Sequence, residues 1–258
     1  MELKVLIKDI IDKSHSDVAV VIKRFKDNSI IMINECMIFP SASTIKLLIM
    51  ARIMKEVKEK KRSLEDKIIL RDIDKCDGDG ILKEFNEGHI FTLKEVITLM
   101  IILSDNTATN ILINIIGMDN INNMGKELNL VNTELRRKMM DSEAVKMGKE
   151  NVTTAKDLYC ILDMIYNREL IDCEYSDLML DILKRQQVKG RLDLYLPEDT
   201  LIAHKTGDLD KLEHDVGIVY HPDGNYLICV LTKNVSTNKY GREIIGEISH
   251  QVYNNINR

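Results

Sequence analysis

The sequence contains no run of 18 apolar residues, so we expect no helix that crosses a membrane. Lys and Arg number 36 against 41 Asp and Glu, which leaves a net charge of -5. This balance argues against a general nucleic-acid binder, which needs clustered positive charge. The N-terminal segment is amphipathic, but its apolar part is too interrupted for a signal peptide. We therefore expect a cytoplasmic protein as written, or an exported one if a leader has been removed.

The sequence also lacks the residue spacing of a metal site. Its cysteines are odd in number and unpaired in spacing, and its six histidines include no His-x-x-x-His pair. We expect no metal and no cofactor, and we expect most cysteines to be reduced and buried. The five cysteines are Cys36, Cys76, Cys160, Cys173 and Cys229.

Strand-forming residues concentrate at both ends of the chain, and helical periodicity dominates the middle. Strands are predicted over 17–25 and 29–36, as a hairpin, and over 200–206, 214–220 and 225–232. Helices are predicted over 2–13, from near Ser43, and over 92–103, 107–116, 154–167, 176–187 and 239–254. The polar stretch 133–153 is predicted to be a long ordered loop. This order predicts an α/β (α+β) fold: a sheet lobe of residues 1–50 and 190–258, an inserted all-helical lobe of residues 51–189, and an active site between them.

Ser43 and Lys46 form the first group of residues that suggests chemistry. Ser43 stands where a loop enters a helix, and a helix N-terminus offers free N–H groups to a developing negative charge. Lys46 follows three residues later and therefore shares the same helical face. Burial would lower the pKa of the lysine and let it act as a general base for the serine. The alternative is that Ser43 only caps the helix and Lys46 is solvated.

Two further short motifs follow along the chain. Ser104, Asp105 and Asn106 interrupt two apolar helices, where they suit either a helix stop and cap or a proton relay beside a substrate-binding amide. Lys205, Thr206 and Gly207 end a strand that reads as buried. The two polar side chains suit an anionic carboxylate, and the glycine would let a substrate approach the strand edge. The alternative is an ordinary strand end with a solvated lysine.

Together the motifs Phe39-Pro40-x-Ala42-Ser43-x-x-Lys46, Ser104-Asp105-Asn106-Thr107-Ala108-x-Asn110 and Lys205-Thr206-Gly207 resemble those of class A β-lactamases and their penicillin-binding relatives. The likeness covers essentially the whole chain. It implies a β-lactamase/transpeptidase-like fold with an antiparallel sheet flanked by terminal helices. It also implies that Ser43 is the nucleophile, Lys46 its base and Ser104 the proton donor to the leaving nitrogen. Asn106 would hold the substrate amide, Lys205 and Thr206 the carboxylate, and the backbone N–H groups of Ser43 and Asp208 the oxyanion.

The chain departs from this family in the loop that should supply a deacylating glutamate. The family pattern Glu-x-x-Leu-Asn is absent, and aligning the loop places Met139 at the glutamate position and Glu143 at the asparagine position. Either deacylation is slow, or Glu143 or Asp141 activates water from a nearby position. An ion pair of Glu143 with Arg136 or Arg137 is the plainer alternative for that side chain. Residues 78–82 also lack the aromatic that often walls the site, and the chain has no tryptophan, which predicts a more open site.

We therefore predict a monomeric serine hydrolase that forms an acyl-enzyme at Ser43 on a small β-lactam or acyl-D-Ala-type substrate. β-Lactamase activity is the favoured reading, with slow deacylation because of Met139. One alternative is a penicillin-binding D-Ala-D-Ala peptidase or esterase. A second alternative is a β-lactam sensor module that is acylated and does not turn over.

Overall fold

A computed structural model of the protein describes residues 2–256. Its strands are β1 (Asp17–Arg24), β2 (Ile30–Ile33), β3 (Phe39–Pro40), β4 (Lys67–Ile69), β5 (Ile90–Thr92), β6 (Val152–Thr153), β7 (Ile202–Leu209), β8 (Leu212–Val219) and β9 (Tyr226–Lys233). Its α-helices are α1 (Leu3–Ser14), α2 (Lys46–Lys58), α3 (Leu93–Ile102), α4 (Asn106–Ile116), α5 (Met118–Glu127), α6 (Ser142–Lys146), α7 (Ala155–Tyr166), α8 (Cys173–Lys184) and α9 (Asn238–Asn255). Short 3-10 turns occupy Ala42–Ile45, Asp72–Asp74 and Leu82–Glu84.

An antiparallel five-stranded sheet joins the two ends of the chain in the order β2-β1-β9-β8-β7. The N-terminal hairpin pairs with the C-terminal strands through β1 and β9, which match Val18 with Thr232 and Ile22 with Ile228. The predicted α+β architecture, with a sheet built from both chain ends and helices inserted between them, is confirmed. Strand β7 lies at one edge of the sheet, so one side of it is free to face the helical part of the chain.

Both faces of the sheet are covered by helices. Along β1 the side chains alternate between two apolar clusters, because successive residues of a strand point to opposite faces. Val18, Val20 and Ile22 pack in the cluster that includes residues of α1 and α9. Ala19 and Val21 pack in the larger cluster, which includes residues of α2, α7 and α8. Burial on both faces explains why β1 reads as a continuous apolar run and not as an alternating one.

Helix α2 lies at the centre of the helical region. Every residue from Lys46 to Met54 is buried, and a helix that is apolar nearly all round is expected to be enclosed by others. Its one buried arginine, Arg52, donates to Glu56 at 3.0 Å. The helix begins three residues later than Ser43, because the preceding turn is a 3-10 turn that continues into it.

The structure differs from the sequence predictions in detail. Helix α8 begins at Cys173 and not at 176, because the Asp172 side chain accepts a hydrogen bond from the Tyr175 N–H and caps it there. Helix α5 was not predicted, because its asparagines and glycine have weak helix propensity. The loop 133–153 contains the short helix α6 and closes on itself through mutual backbone hydrogen bonds between Glu134 and Val152. The division into lobes at residues 50 and 190 stays a prediction.

The cysteine prediction was wrong about burial. All five cysteines are free, but among them only Cys229 is fully buried, while Cys36 and Cys173 are exposed. Cys36 lies in the segment between β2 and β3, and Cys173 is the first residue of α8. Within residues 2–256, no helix combines the length and the apolar character that a membrane crossing requires.

Candidate active site

Ser43 lies in the 3-10 turn Ala42–Ile45 and lines a pocket of about 560 Å³. The residue before it, Ala42, has a φ of +45°, a conformation that residues other than glycine rarely adopt. The turn is held by the Thr44 hydroxyl, which donates to the Ser41 carbonyl at 2.6 Å. Such strain persists only where surrounding structure enforces it, and it is common at reactive residues.

Lys46 lies directly beneath Ser43 and has no exposed surface. Its Nζ is 2.8 Å from Ser43 Oγ and 3.0 Å from Ser104 Oγ. It also donates to the Ser104 carbonyl at 2.7 Å and to Asn106 Oδ1 at 3.0 Å. Four oxygen atoms from two of the three motifs therefore surround one amine. The solvated lysine considered from the sequence is excluded by this burial.

Burial lowers the pKa of Lys46 from 10.5 to about 7. The negative charges of Asp79 and then Asp105 oppose this lowering, without reversing it. A lysine with this pKa is neutral in about half of the molecules near pH 7. The amine can therefore accept a proton at neutral pH, which an ordinary lysine almost never does.

Ser104 joins the two lysines of the site. It adopts a φ of +55° between α3 and α4, and its hydroxyl accepts hydrogen bonds from Lys46 and, at 3.2 Å, from Lys205 Nζ. The next residue, Asp105, does cap α4, since its carboxylate accepts from the Ala108 N–H at 2.8 Å. The prediction that this motif caps a helix is thus correct for Asp105. Ser104 and Asn106 instead accept hydrogen bonds from Lys46.

The third motif lies on the edge strand β7, next to the turn that carries Ser43. Lys205 has no exposed surface, and burial, together with the positive charge of Lys46, lowers its pKa well below 10.5. Its Nζ also donates to the Thr206 carbonyl at 2.9 Å. A Cβ added at Gly207 would lie 3.0 Å from the backbone nitrogen of Ser43. Glycine is needed here because the strand approaches the serine so closely.

Asp208 directly follows the third motif and lines the pocket. Its side chain accepts a hydrogen bond from Arg191 Nη2 at 2.9 Å. Arg191 is itself almost fully buried and donates through Nε to Glu213 at 2.7 Å. Arg191 was not predicted from the sequence, because its partners lie 17 and 22 residues further along the chain and leave no local signal.

Met139, on the loop 133–153, lines the same pocket as Ser43 and is 8% exposed. The side chain of Asn110 fixes its backbone by accepting from the Met139 N–H at 2.8 Å and donating to the Met139 carbonyl at 3.1 Å. The next residue, Met140, has a φ of +61°. The motif around Ser104 therefore determines where the loop residue at position 139 stands.

The structure does not bring Glu143 into the pocket lining. Its side chain is 72% exposed and pairs with Lys146 at 2.8 Å. The predicted ion pair of Glu143 with Arg136 or Arg137 was wrong. Those arginines pair with Glu134 and Glu150 instead, at 2.8 and 2.7 Å, because the loop closes on itself at these residues.

Asp141, the other acidic residue considered for water activation, does line the pocket. Its carboxylate accepts from the Ala144 N–H at 3.0 Å and so caps α6. Asp79, which the sequence reading did not single out, also lines the pocket. From the sequence, only the missing aromatic was noted in residues 78–82, because a carboxylate's position in a pocket leaves no local signal. Among the residues 2–256, no three His, Cys, Asp or Glu side chains are grouped to hold a metal ion.

Comparison with known proteins places the chain among β-lactamases. The model of the beta-lactamase enzyme family matches residues 2–256. Beta-lactamase VEB-1 of Pseudomonas aeruginosa is 23% identical over 269 residues, which cover 98% of this chain and 89% of that protein. A beta-lactamase of Sphaerobacter thermophilus DSM 20745 is 28% identical with a TM-score of 0.88, covering 97% of this chain and 95% of the other.

A leucine-to-glutamate mutant of PBP-A, determined as its acyl-enzyme complex with penicillin G, has a TM-score of 0.90 to this chain. It is 28% identical, and the match covers 98% of this chain and 96% of that one. These likenesses confirm the β-lactamase/transpeptidase-like fold. Since the family model covers nearly the whole chain, the protein belongs to the beta-lactamase enzyme family and is a serine hydrolase of the class A type.

Proposed function

We propose that the protein is acylated at Ser43 by β-lactams, with Lys46 as the general base, and that it releases the acyl group slowly. The observation that carries this proposal is the Lys46 amine, which is 2.8 Å from Ser43 Oγ, fully buried, and lowered in pKa to about 7. A serine hydroxyl is a weak nucleophile unless a neighbouring base takes its proton.

The hydrogen bonds around Lys46 suit the neutral amine. Two of its four oxygen neighbours, the Ser104 carbonyl and Asn106 Oδ1, can only accept hydrogen bonds. A neutral amine has two N–H donors for these two acceptors and one lone pair. The hydroxyl of Ser43 can then donate to that lone pair, which is the arrangement needed for proton transfer.

Acylation then proceeds in two steps. Ser43 Oγ gives its proton to Lys46 Nζ and bonds to the lactam carbonyl carbon, whose oxygen becomes negative. When the oxyanion collapses, the lactam C–N bond breaks, and Ser104 passes a proton to the departing nitrogen while it regains one from Lys46. The 3.0 Å distance between Lys46 Nζ and Ser104 Oγ supports this relay. Water must later cleave the ester to regenerate Ser43.

The remaining predicted residues are proposed to bind the substrate. Asn106 lines the pocket and would hold the substrate amide. Lys205 and Thr206 would bind the carboxylate, whose negative charge would itself favour the protonated form of Lys205. The backbone N–H groups of Ser43 and Asp208 would stabilise the oxyanion. The close approach of Gly207 to Ser43 N supports that position for the oxyanion hole.

Slow release of the acyl group is proposed because Met139 supplies no base. A thioether accepts no proton at neutral pH. Glu143 is exposed and paired outside the pocket lining, which does not support it as a substitute base. Asp141 lines the pocket, but its carboxylate is engaged as the cap of α6.

Incubation with nitrocefin, combined with intact mass spectrometry over minutes to hours, tests the proposal. A burst of colour equal to the enzyme concentration, with a lasting adduct that Ser43→Ala abolishes, is the expected result. Sustained colour with only a transient adduct would refute slow release and identify an efficient β-lactamase. Absence of both colour and adduct would refute acylation by β-lactams altogether.

A second candidate is a penicillin-binding peptidase that acts on acyl-D-Ala-type peptides. The observation that favours it is Met139 at the position of the expected base, together with the similarity to PBP-A. Release of D-alanine from an acyl-D-Ala-D-Ala peptide, lost in Ser43→Ala, would support this candidate over a lactamase.

A further inference from the structure

The pocket that Ser43 lines carries three carboxylates, and two of them are already engaged. Asp208 accepts from Arg191 at 2.9 Å, and Asp141 accepts from the Ala144 N–H at 3.0 Å. The third, Asp79, is exposed, and within the described part of the chain its carboxylate has neither a hydrogen bond nor an ion pair. Its charge therefore faces the pocket without a fixed counterion.

Within residues 2–256, the lysines and arginines of the pocket lining and of the Asp79 loop have hydrogen-bond or ion-pair partners other than the Asp79 carboxylate. In the pocket lining, Arg137 pairs with Glu150 and Lys146 with Glu143. Lys83, four residues beyond Asp79, donates to the carbonyl of Gly78 at 2.7 Å. The charge of Asp79 raises the pKa of the buried Lys46, but the Lys46 amine makes its hydrogen bonds to other oxygen atoms, such as the Ser104 carbonyl. A positive group that entered the pocket would meet an unpaired carboxylate.

Hydrogen bonds fix the loop of Asp79 to the motif that contains Asp105 and Asn106. The carbonyl of Asp79 accepts from the Asn106 N–H at 2.9 Å, and the Asp105 carboxylate accepts from the N–H groups of Ile81 and Leu82 at 2.7 and 2.8 Å. Gly80 has a φ of +106°, and a Cβ there would come within 2.5 Å of Asp105 atoms. A carboxylate on such a fixed loop needs little ordering when it binds a ligand.

Asp79 also lies beside the residue proposed to hold the substrate amide. Its neighbour Gly78 is in close contact with Asn106 and Met140. Because Asn106 is proposed to hold that amide, the acyl side chain beyond it would enter near Asp79. Met139, Met140 and Val145 also line the pocket and contribute apolar surface to it.

We propose that Asp79 is a specificity residue and that the preferred substrates carry a cationic group, such as a primary ammonium, on an otherwise apolar acyl side chain. This inference rests on the proposed acylation at Ser43. It names the substrate class of that site, and it assigns no part of the bond-breaking steps to Asp79.

Ampicillin and benzylpenicillin provide the test, because they differ by one amino group on the acyl side chain. The second-order rate constant of acylation is measured for each by intact mass spectrometry near neutral pH, where an α-amino group is largely protonated. We expect Asp79→Asn to lower the ampicillin-to-benzylpenicillin ratio about fivefold, the size of a favourable exposed ion pair. Removing Asp79 also lowers the pKa of Lys46, but that effect is common to both substrates and cancels in the ratio.

Asp77→Asn is the matched control, because it removes the same charge from the same loop at a residue outside the pocket lining. We expect it to leave the ratio unchanged, and added salt to reduce the ratio in the parent protein but not in Asp79→Asn. An unchanged ratio in Asp79→Asn would overturn the proposal. So would an equal slowing of acyl release for both substrates, since Asp79 would then act on the deacylating water. If the parent protein were acylated by neither penicillin, the proposed function would fail first, and this inference with it.

Discussion

The low pKa of Lys46 predicts how acylation depends on pH. Only the neutral amine can take the proton of Ser43, so the rate should follow the neutral fraction of Lys46. With a pKa of about 7, that fraction is about 1% near pH 5, about 50% near pH 7 and about 90% near pH 8. The second-order rate constant should therefore rise about 90-fold from pH 5 to pH 8 and then level off.

The plateau of the acylation rate above pH 8 distinguishes a lysine with a pKa of about 7 from an ordinary lysine. A base with the usual pKa of 10.5 would give a rate that still climbs about tenfold between pH 8 and pH 9. Benzylpenicillin is a suitable substrate because its carboxylate does not titrate in this range. Adduct formation, followed by quenched intact mass spectrometry, gives the rate at each pH without relying on turnover.

Two variants check that the titration belongs to Lys46. Lys46→Arg keeps a positive charge at every pH, so acylation should fall by about 10²–10⁴-fold and lose its dependence on pH. Asp79→Asn removes the first of the charges that raise the pKa of Lys46, so the midpoint should move below that of the parent protein. A rate that is flat from pH 5 to pH 9, or one that keeps rising through pH 9, would refute Lys46 as the base.

Three further predictions concern the neighbouring residues. Met139→Glu should accelerate nitrocefin turnover, by up to about 10²-fold if the new carboxylate activates water; Glu143→Gln, a change at an exposed position of the same loop, should not alter it. Gly207→Ala should slow acylation by about 10²–10³-fold and lower the melting temperature, because the added Cβ crowds the Ser43 N–H proposed to bind the oxyanion; an unaffected rate would contradict that oxyanion site. Asp105→Ala should cost about 2–4 kcal/mol in urea unfolding, because three backbone N–H groups, two of them buried, lose their acceptor; a cost below about 1 kcal/mol would mean that the loop rearranges to satisfy them.

The sheet and most helices could be predicted because their signals are local. The concentration of β-branched residues in the strands and the apolar periodicity of α3, α4 and α7 lie within single elements. Helix α5 could not be predicted, because its asparagines disfavour a helix. Its stability comes from the packing of Ile121 and Met124 into the core. Local patterns predict elements well, and they fail where tertiary contacts override propensity.

The candidate site was predictable in its members but not in its electrostatics. Three motifs separated by about 60 and 100 residues meet at Ser104, whose hydroxyl accepts hydrogen bonds from both Lys46 and Lys205. The pKa of Lys46 depends on burial, and burial is created by elements far apart in the sequence. The unpaired carboxylate of Asp79 and the hydrogen bond from Arg191 to Asp208 could not be predicted either, because a missing or distant partner leaves no local pattern.

The neutral Lys46 and the absence of a glutamate at position 139 are physically connected. The charges that raise the pKa of Lys46, led by Asp79 and Asp105, leave it at about 7. A carboxylate at position 139 would add another negative charge to the pocket that Ser43 lines and would favour the protonated lysine. In Met139→Glu the pH midpoint of acylation should therefore rise above that of the parent protein, even as deacylation becomes faster. Met139, which we propose limits release, would then also help to keep the proposed base neutral, and measuring both rates in one variant would separate the two effects. An unchanged midpoint would show that position 139 does not influence Lys46.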